Sequence, residues 1–197
     1  FIMTQKKDKW NNQFIGGKWS ALSKEVERYS CLAGYINSKG GEKPASVLDL
    51  GCGEGHLLKL IFPHYIQDYT CVDVSDAALS RIDAQNCKVI KICSPLEELA
   101  LTTPYDIMIF NEVLYYLKKP EQIFVKLLNQ LCPGGRVIVS IHQKRSWWSR
   151  NSQATRMVRR ILNENPEEKE KFVNVSEILL KDNQSGTSWV ILSARKI

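Results

Sequence analysis

Five short runs rich in β-branched and aromatic residues restrict what this chain can fold into more than any other feature. They are SVLDL (46–50), YTCVDV (69–74), KVIKI (88–92), YDIMIF (105–110) and RVIVSI (136–141). Helical stretches fit between most of them, around 55–62, 76–85 and 120–131, and the link near 95–100 is shorter. Such alternation builds a parallel sheet with helices on both faces. The runs are almost continuously apolar, as strands covered on both faces are.

The flanks add two elements. Upstream, Ala21, Leu22, Val26, Tyr29, Leu32, Ala33 and Ile36 recur at helical spacing, and Gly40-Gly41 with Pro44 stop that helix. Downstream, FVNVSEILLKD (172–182) and TSWVILSAR (187–195) flank Asn183-Gln184-Ser185-Gly186, which predicts a hairpin. The chain therefore reads as one α/β domain over 1–197. Its parts are an N-terminal lid and helix (1–40), a core (46–141), and a basic helix with a closing hairpin (142–197).

Composition narrows the class. With 197 residues the chain is long enough for one core of its own. No apolar run reaches the roughly 18–20 residues that cross a bilayer, and Lys6, Lys7 and Lys9 lead into no apolar block. The expectation is a cytoplasmic protein without membrane contact, monomeric or homodimeric. The six cysteines contain no C-x-x-C pair, so they predict reduced thiols rather than a metal site. The net charge of +6 concentrates in Lys144, Arg145, Arg150, Arg156, Arg159 and Arg160. That run is either a solvated helix face or a surface for anions or nucleic acid.

The first run ends in Asp49-Leu50-Gly51-Cys52-Gly53-Glu54-Gly55. In an open parallel sheet, ligands bind beyond the carboxyl ends of the strands. Glycine there permits positive φ and close backbone approach, and the helix expected next would present free N–H groups. A dinucleotide loop would need a third glycine where His56 stands, and no Walker loop occurs.

This loop resembles the first motif of the class I S-adenosylmethionine-dependent methyltransferases. The resemblance continues in order through Val72-Asp73-Val74-Ser75, Tyr105-Asp106-Ile107-Met108-Ile109, Asn111-Glu112-Val113-Leu114 and Leu131-Cys132-Pro133-Gly134-Gly135. It implies a Rossmann-like, doubly wound sheet of five parallel strands plus a C-terminal antiparallel hairpin. It also implies S-adenosylmethionine as cofactor and S-adenosylhomocysteine as product. The cofactor set implied is Asp49, Gly51, Cys52, Gly53 and Gly55 in the loop, with Asp73 and Val74 after strand two. Asp73 would accept both ribose hydroxyls, and Asp49 would orient the methionine end. Ser94, Pro95 and Leu96 fall where the family places adenine contacts, although many members carry an aspartate at position 94. Asn111 would meet the cofactor's amino group through its carbonyl. Asp73 as a turn residue and Asp49 as a loop pin are the structural alternatives.

Methyl transfer is an in-line displacement that needs alignment and exclusion of water, and no metal. After strand four the chain reads Asn111-Glu112-Val113-Leu114, not the Asn-Pro-Pro-Tyr type of DNA amino-methylases. Many small-molecule members read E-V-L-E-H-L. Here Tyr116 replaces the histidine, and Tyr116 and His142 are the candidate proton-handling residues. The EVLYYL form, with Glu25-Val26-Glu27-Arg28-Tyr29, is similar to NodS-like N-methyltransferases and suggests a small polar acceptor, an amine or hydroxyl. Trp19, Tyr115, Tyr116 and Trp147 are candidate substrate contacts, within a set of aromatics that includes Trp10, Phe14 and Trp148. Aromatic faces attract sulfonium or ammonium groups by ~0.5–2 kcal/mol; core packing is the alternative. RNA methylation, drawing on the basic run and Trp147-Trp148, a non-catalytic cofactor-binding module, and a dehydrogenase remain as competing functions.

Overall fold

The apolar runs become strands, and the glycines and prolines between them decide how much helix survives. A computed structural model describes residues 2–38, 43–83, 87–144, 146–164, 172–183 and 185–197, with 2–6 and 164 described by backbone alone. The Gly40-Gly41 helix stop, Arg145 and Gln184 lie outside these residues. The chain divides into two compact units, residues 1–101 and 102–197.

The first unit contains α1 (Ile2–Ile15), a 3-10 turn at Ser20–Lys24, α2 (Val26–Asn37), β1 (Ala45–Leu50), β2 (Ile66–Asp73), α3 (Asp76–Ser80) and β3 (Lys88–Cys93). β2 lies between β1 and β3 and is parallel to both, with Asp49 opposite Cys71 and Tyr69 opposite Val89. Val47, Leu48, Leu50, Tyr69 and Val72 are wholly buried, which explains why β1 and β2 read as apolar runs.

Three helix expectations in this unit are corrected. The helix expected from Ala21 to Ile36 breaks at Glu25, whose φ of −81° and ψ of 53° are not helical. The Glu25 carboxylate accepts from Arg28 Nε at 2.8 Å, and the Arg28 guanidinium, buried, lies 4.3 Å over the Tyr29 ring. The helix expected over 55–62 is only a 3-10 turn at Leu58–Leu60. Gly55 has φ +70°, Ile61 is extended, and Pro63 keeps Phe62 out of the α region. No helix N-terminus therefore follows the glycine loop. Of the stretch 76–85, Asp76–Ser80 are helical and Arg81–Asp83 are not, 84 and 85 lying outside the described residues, and Ile82 packs against Gly55. Conversely, α1 forms where apolar periodicity is faint: Phe14 is buried, one turn after Trp10.

The second unit contains β4 (Tyr105–Asn111), a 3-10 turn at Leu114–Tyr116, α4 (Pro120–Leu128), β5 (Leu131–His142), α5 (Arg150–Arg159) extended by a π turn at Arg160–Glu164, β6 (Phe172–Lys181) and β7 (Ser188–Lys196). β4 and β5 are parallel, β7 joins β5 antiparallel, and β6 joins β7 antiparallel. The expected hairpin is present: the Asp182 N–H donates to Thr187 O at 2.8 Å, and Gly186 has φ +70°. β5 starts five residues earlier than expected, because the Pro133-Gly134-Gly135 turn is absorbed into the strand; a Cβ on Gly135 would stand 2.8 Å from Cys132 O. Phe110 and Phe124, both fully buried, meet edge to face at 4.9 Å between centroids.

The basic run is not simply a solvated face. Arg159 pairs with Glu177 at 2.8 Å, Arg160 with Glu121 at 2.7 Å, and Arg156 stacks 4.1 Å over Trp147.

Candidate functional site

In the first unit the end of β1 and the end of β2 are sewn together by the glycine loop. Gly51, Gly53 and Gly55 have φ of +77°, +55° and +70°, a region closed to most side chains. The Gly51 and Cys52 N–H groups both donate to Val72 O, at 2.8 and 3.1 Å. Asp73 completes the turn: one carboxylate oxygen accepts the Gly53 N–H at 3.0 Å, the other the Ser75 N–H at 2.8 Å. The Ser94 N–H donates to Asp73 O at 3.0 Å, which ties in the end of β3. Burial pushes the Asp73 carboxyl up, and the backbone donors of Ser75, Gly53 and Val74 oppose that rise.

Asp49, the last acid of β1, is 1% exposed. Its Oδ2 accepts the Tyr69 hydroxyl at 2.8 Å, while its Oδ1 is buried with no hydrogen-bond partner. Burial pushes this carboxyl from 3.8 up to about 7, against the Tyr69 bond, which works to lower it. The Cys52 thiol is likewise pushed up by burial. Val74 and Pro95 are half-buried and Leu96 is buried. The Ser94 hydroxyl turns to Pro95 O at 3.1 Å.

α1 lies against this loop. Asn11 accepts the Ser75 hydroxyl at 2.6 Å and donates to Asp76 at 2.7 Å, and Lys7 pairs with Asp76 at 2.6 Å. Arg81 donates to Phe14 O at 3.2 Å and pairs with Glu54. The Phe14 ring sits 3.5 Å from where a Cβ on Gly53 would stand. Trp19 stacks on Trp10 at 5.8 Å and tilts on Phe14 at 6.4 Å, so the three expected aromatics of this segment form one cluster.

In the second unit Glu112 organises the end of β4. Its φ is +57°. One carboxylate oxygen accepts the Ser140 hydroxyl at 2.8 Å; the other accepts the Tyr115 hydroxyl at 2.6 Å and the His142 N–H at 3.0 Å. Burial, reinforced by the Glu112 charge, pushes the Tyr115 phenol far up. Tyr116 is 39% exposed with its ring 4.5 Å from that of Tyr115. The His142 ring lies 6.3 Å from Trp189. Asn111, half-buried, ends the strand. Trp147 goes instead with Arg156 on the surface.

Sequence reasoning missed Tyr69, Asn11 and Ser140, and treated Ser75 and Glu112 only as parts of motifs. Tyr69 and Ser140 face their partners through strand register, which the chain order does not display. Among the described residues no cluster of histidine, cysteine and carboxylates could hold a metal.

A family model described as "Methyltransferase domain" matches residues 20–179. The malonyl-[acyl-carrier protein] O-methyltransferase of Anoxybacillus flavithermus is 28% identical over 107 residues, 53% of this chain and 41% of that protein. The chain spans about half the length of the curated relatives it matches. Among solved structures, the N-methyltransferase NodS from Bradyrhizobium japonicum with S-adenosyl-L-homocysteine has a TM-score of 0.69 at 18% identity, over 87% of each chain. Magnesium protoporphyrin IX methyltransferase from Synechocystis PCC 6803 with S-adenosylhomocysteine has a TM-score of 0.74 at 15% identity, over 99% of each chain. These likenesses show the Rossmann-like α/β fold that the resemblance implied.

Proposed function

On the premise that the chain belongs to the methyltransferase domain family, we propose that its glycine loop binds S-adenosylmethionine and that it methylates a small polar acceptor. The observation that carries the cofactor assignment is the buried, unpartnered Oδ1 of Asp49 beside a loop of three left-handed glycines. A buried acceptor without a donor is costly, and the ammonium of the cofactor's methionine end is a donor of the matching charge. The Gly53 and Ser75 N–H groups each take one Asp73 oxygen, with Val74 as a third backbone donor, and two carboxylate oxygens with about four lone pairs still leave one for a ribose hydroxyl. The residues present therefore fit the group. Bound there, S-adenosylmethionine supplies an electrophilic methyl carbon on a sulfonium.

The acceptor side belongs to the cluster around Glu112. With its proton committed to Glu112 at 2.6 Å, the Tyr115 oxygen is left as an acceptor whose two lone pairs serve the neighbouring Tyr116 hydroxyl and one further donor. It suits an N–H or O–H of the incoming nucleophile. We assign His142 to receive the acceptor's proton; burial pushes the Tyr116 phenol up, so it stays protonated and can only relay a proton, giving up its own as it takes another, and Trp19 and Trp147 remain proposed substrate contacts. The amine or hydroxyl class agrees with relatives that carry both N- and O-methyltransferase names.

Isothermal titration with S-adenosylmethionine and S-adenosylhomocysteine, with NAD as control, tests this. Micromolar binding of the first two and none of NAD is expected. A folded sample that binds neither would overturn the cofactor assignment. RNA methylation is a second reading, favoured by Trp147 and Trp148, 64% and 80% exposed, beside Arg156. Methyl incorporation into RNA rather than into small amines and alcohols would select it.

A further inference from the structure

We propose that the second unit carries an anion-binding cleft, with Lys118, Lys119 and Arg150 as its cations, that seats a phosphate or carboxylate group of the methyl acceptor. The identification of the occupant as the acceptor rests on the methyl-transfer reading; the anion site itself does not.

The cleft has a volume of about 670 Å³, within the range of small-molecule sites. One wall is the first turn of α4. The other is a single face of α5, where Arg150, Ala154 and Met157 follow one another at helical spacing. Tyr115, whose hydroxyl Glu112 holds, also lines it. The cleft is therefore bounded by the same tyrosine that we assign to the reacting end of the acceptor.

Three cations line this cleft and one acid, Glu121. Glu121 is committed to Arg160 at 2.7 Å. Among the described residues, Lys118, Lys119 and Arg150 form no ion pair and no side-chain hydrogen bond. Like charges gathered around a concave surface raise its potential and draw an anion in. The backbone adds to the same sign: α4 opens at Lys119 without a side-chain cap, and Pro120 follows at the first helical position. Its early N–H groups thus lack a side-chain acceptor, and the helix dipole is positive at that end. The apolar parts of Leu117, Ala154 and Met157 in the lining leave room for a carbon skeleton behind the charged group.

The probes are inorganic pyrophosphate and malonate, titrated calorimetrically at low salt into the full chain. Three proteins are compared: the unaltered chain, the cleft variant Lys118→Ala/Lys119→Ala/Arg150→Ala, and a control, Lys59→Ala/Lys88→Ala/Lys181→Ala, that removes the same net charge elsewhere. S-adenosylhomocysteine is titrated into all three. The expectation is saturable binding of one or both anions, weakened at least about tenfold by the cleft variant, as loss of charge-assisted contacts implies, and unchanged in the control. A preference for pyrophosphate assigns the natural group as a phosphate, and a preference for malonate as a carboxylate. Equal weakening in both variants, or no binding to the unaltered chain, would overturn the proposal. S-adenosylhomocysteine binding is expected to be the same in all three. Its absence from all three would sink the methyl-transfer reading and leave the anion result to stand on its own.

Discussion

Replacing Asp49 by Asn isolates the titration of one buried carboxyl. Asp49 is 1% exposed, and burial raises it from 3.8 to about 7. The folded chain thus holds a proton here that the unfolded chain has already released across that window. Stability from this group is therefore full below pH 4, falls as pH rises toward 7, and levels off above it. Each tenfold change in proton affinity corresponds to about 1.4 kcal/mol, so the rigid limit is roughly 4 kcal/mol, and local relaxation lowers it toward about 1. Asn keeps an oxygen for the Tyr69 hydroxyl and removes the titration. Urea unfolding at pH 4 to 8 should show the unaltered protein losing about 1–4 kcal/mol relative to Asp49→Asn as pH rises. Any constant offset between the two is immaterial. Binding should move the other way: an ammonium needs the ionised carboxylate, so S-adenosylmethionine affinity should rise with pH through about 7 in the unaltered protein and lose that rise in Asp49→Asn. Parallel stability curves for the two proteins would refute the reasoning, because the carboxyl would then be ionised in the folded core throughout.

Two further changes test separate parts of the argument. Asp73→Ala strips the acceptor from the Gly53 and Ser75 N–H groups; it should weaken S-adenosylmethionine binding by ~1.5–3 kcal/mol and lower stability by about 1–3 kcal/mol, read by calorimetry and urea unfolding, and unchanged affinity would move the ribose contact elsewhere. Phe124→Ala empties a fully buried site against Phe110 and should cost about 3–5 kcal/mol in chemical unfolding, whereas a loss under about 1 kcal/mol would mean that the site collapses.

Most strands were legible because their composition reports burial on two faces: Val47, Leu48, Ile107 and Ile109 are wholly buried, and each lies in a run picked out by composition; β3 departs from this, being exposed or half-buried at every position, and was legible only from its β-branched residues. The short helices were not. Over 55–62 the apolar spacing of Leu57, Leu58 and Ile61 imitates a helix, yet Gly55 and Pro63 leave room for one 3-10 turn. α1 went unseen for the opposite reason. It is polar along most of its length, and what secures it is tertiary: Asn11 on Ser75 and Asp76, and Phe14 over Gly53. At the candidate site the loop and Asp73 could be read from spacing and resemblance. The clasp of Glu112 on Ser140 and His142 could not, since it joins positions 28 and 30 residues apart.

That clasp leaves position 112 with almost no tolerance for substitution. Its backbone, at φ +57°, is the kind that glycine or asparagine adopts with least strain. Its side chain, accepting from Ser140, Tyr115 and the His142 N–H, calls for a carboxylate of this length. Glycine would ease the main chain and orphan three donors. Glutamine would keep the reach and turn an amide N–H₂ toward one of them. A saturation library at this codon should therefore return few functional alternatives, while its neighbour Val113, half-buried and extending the same turn, should accept many.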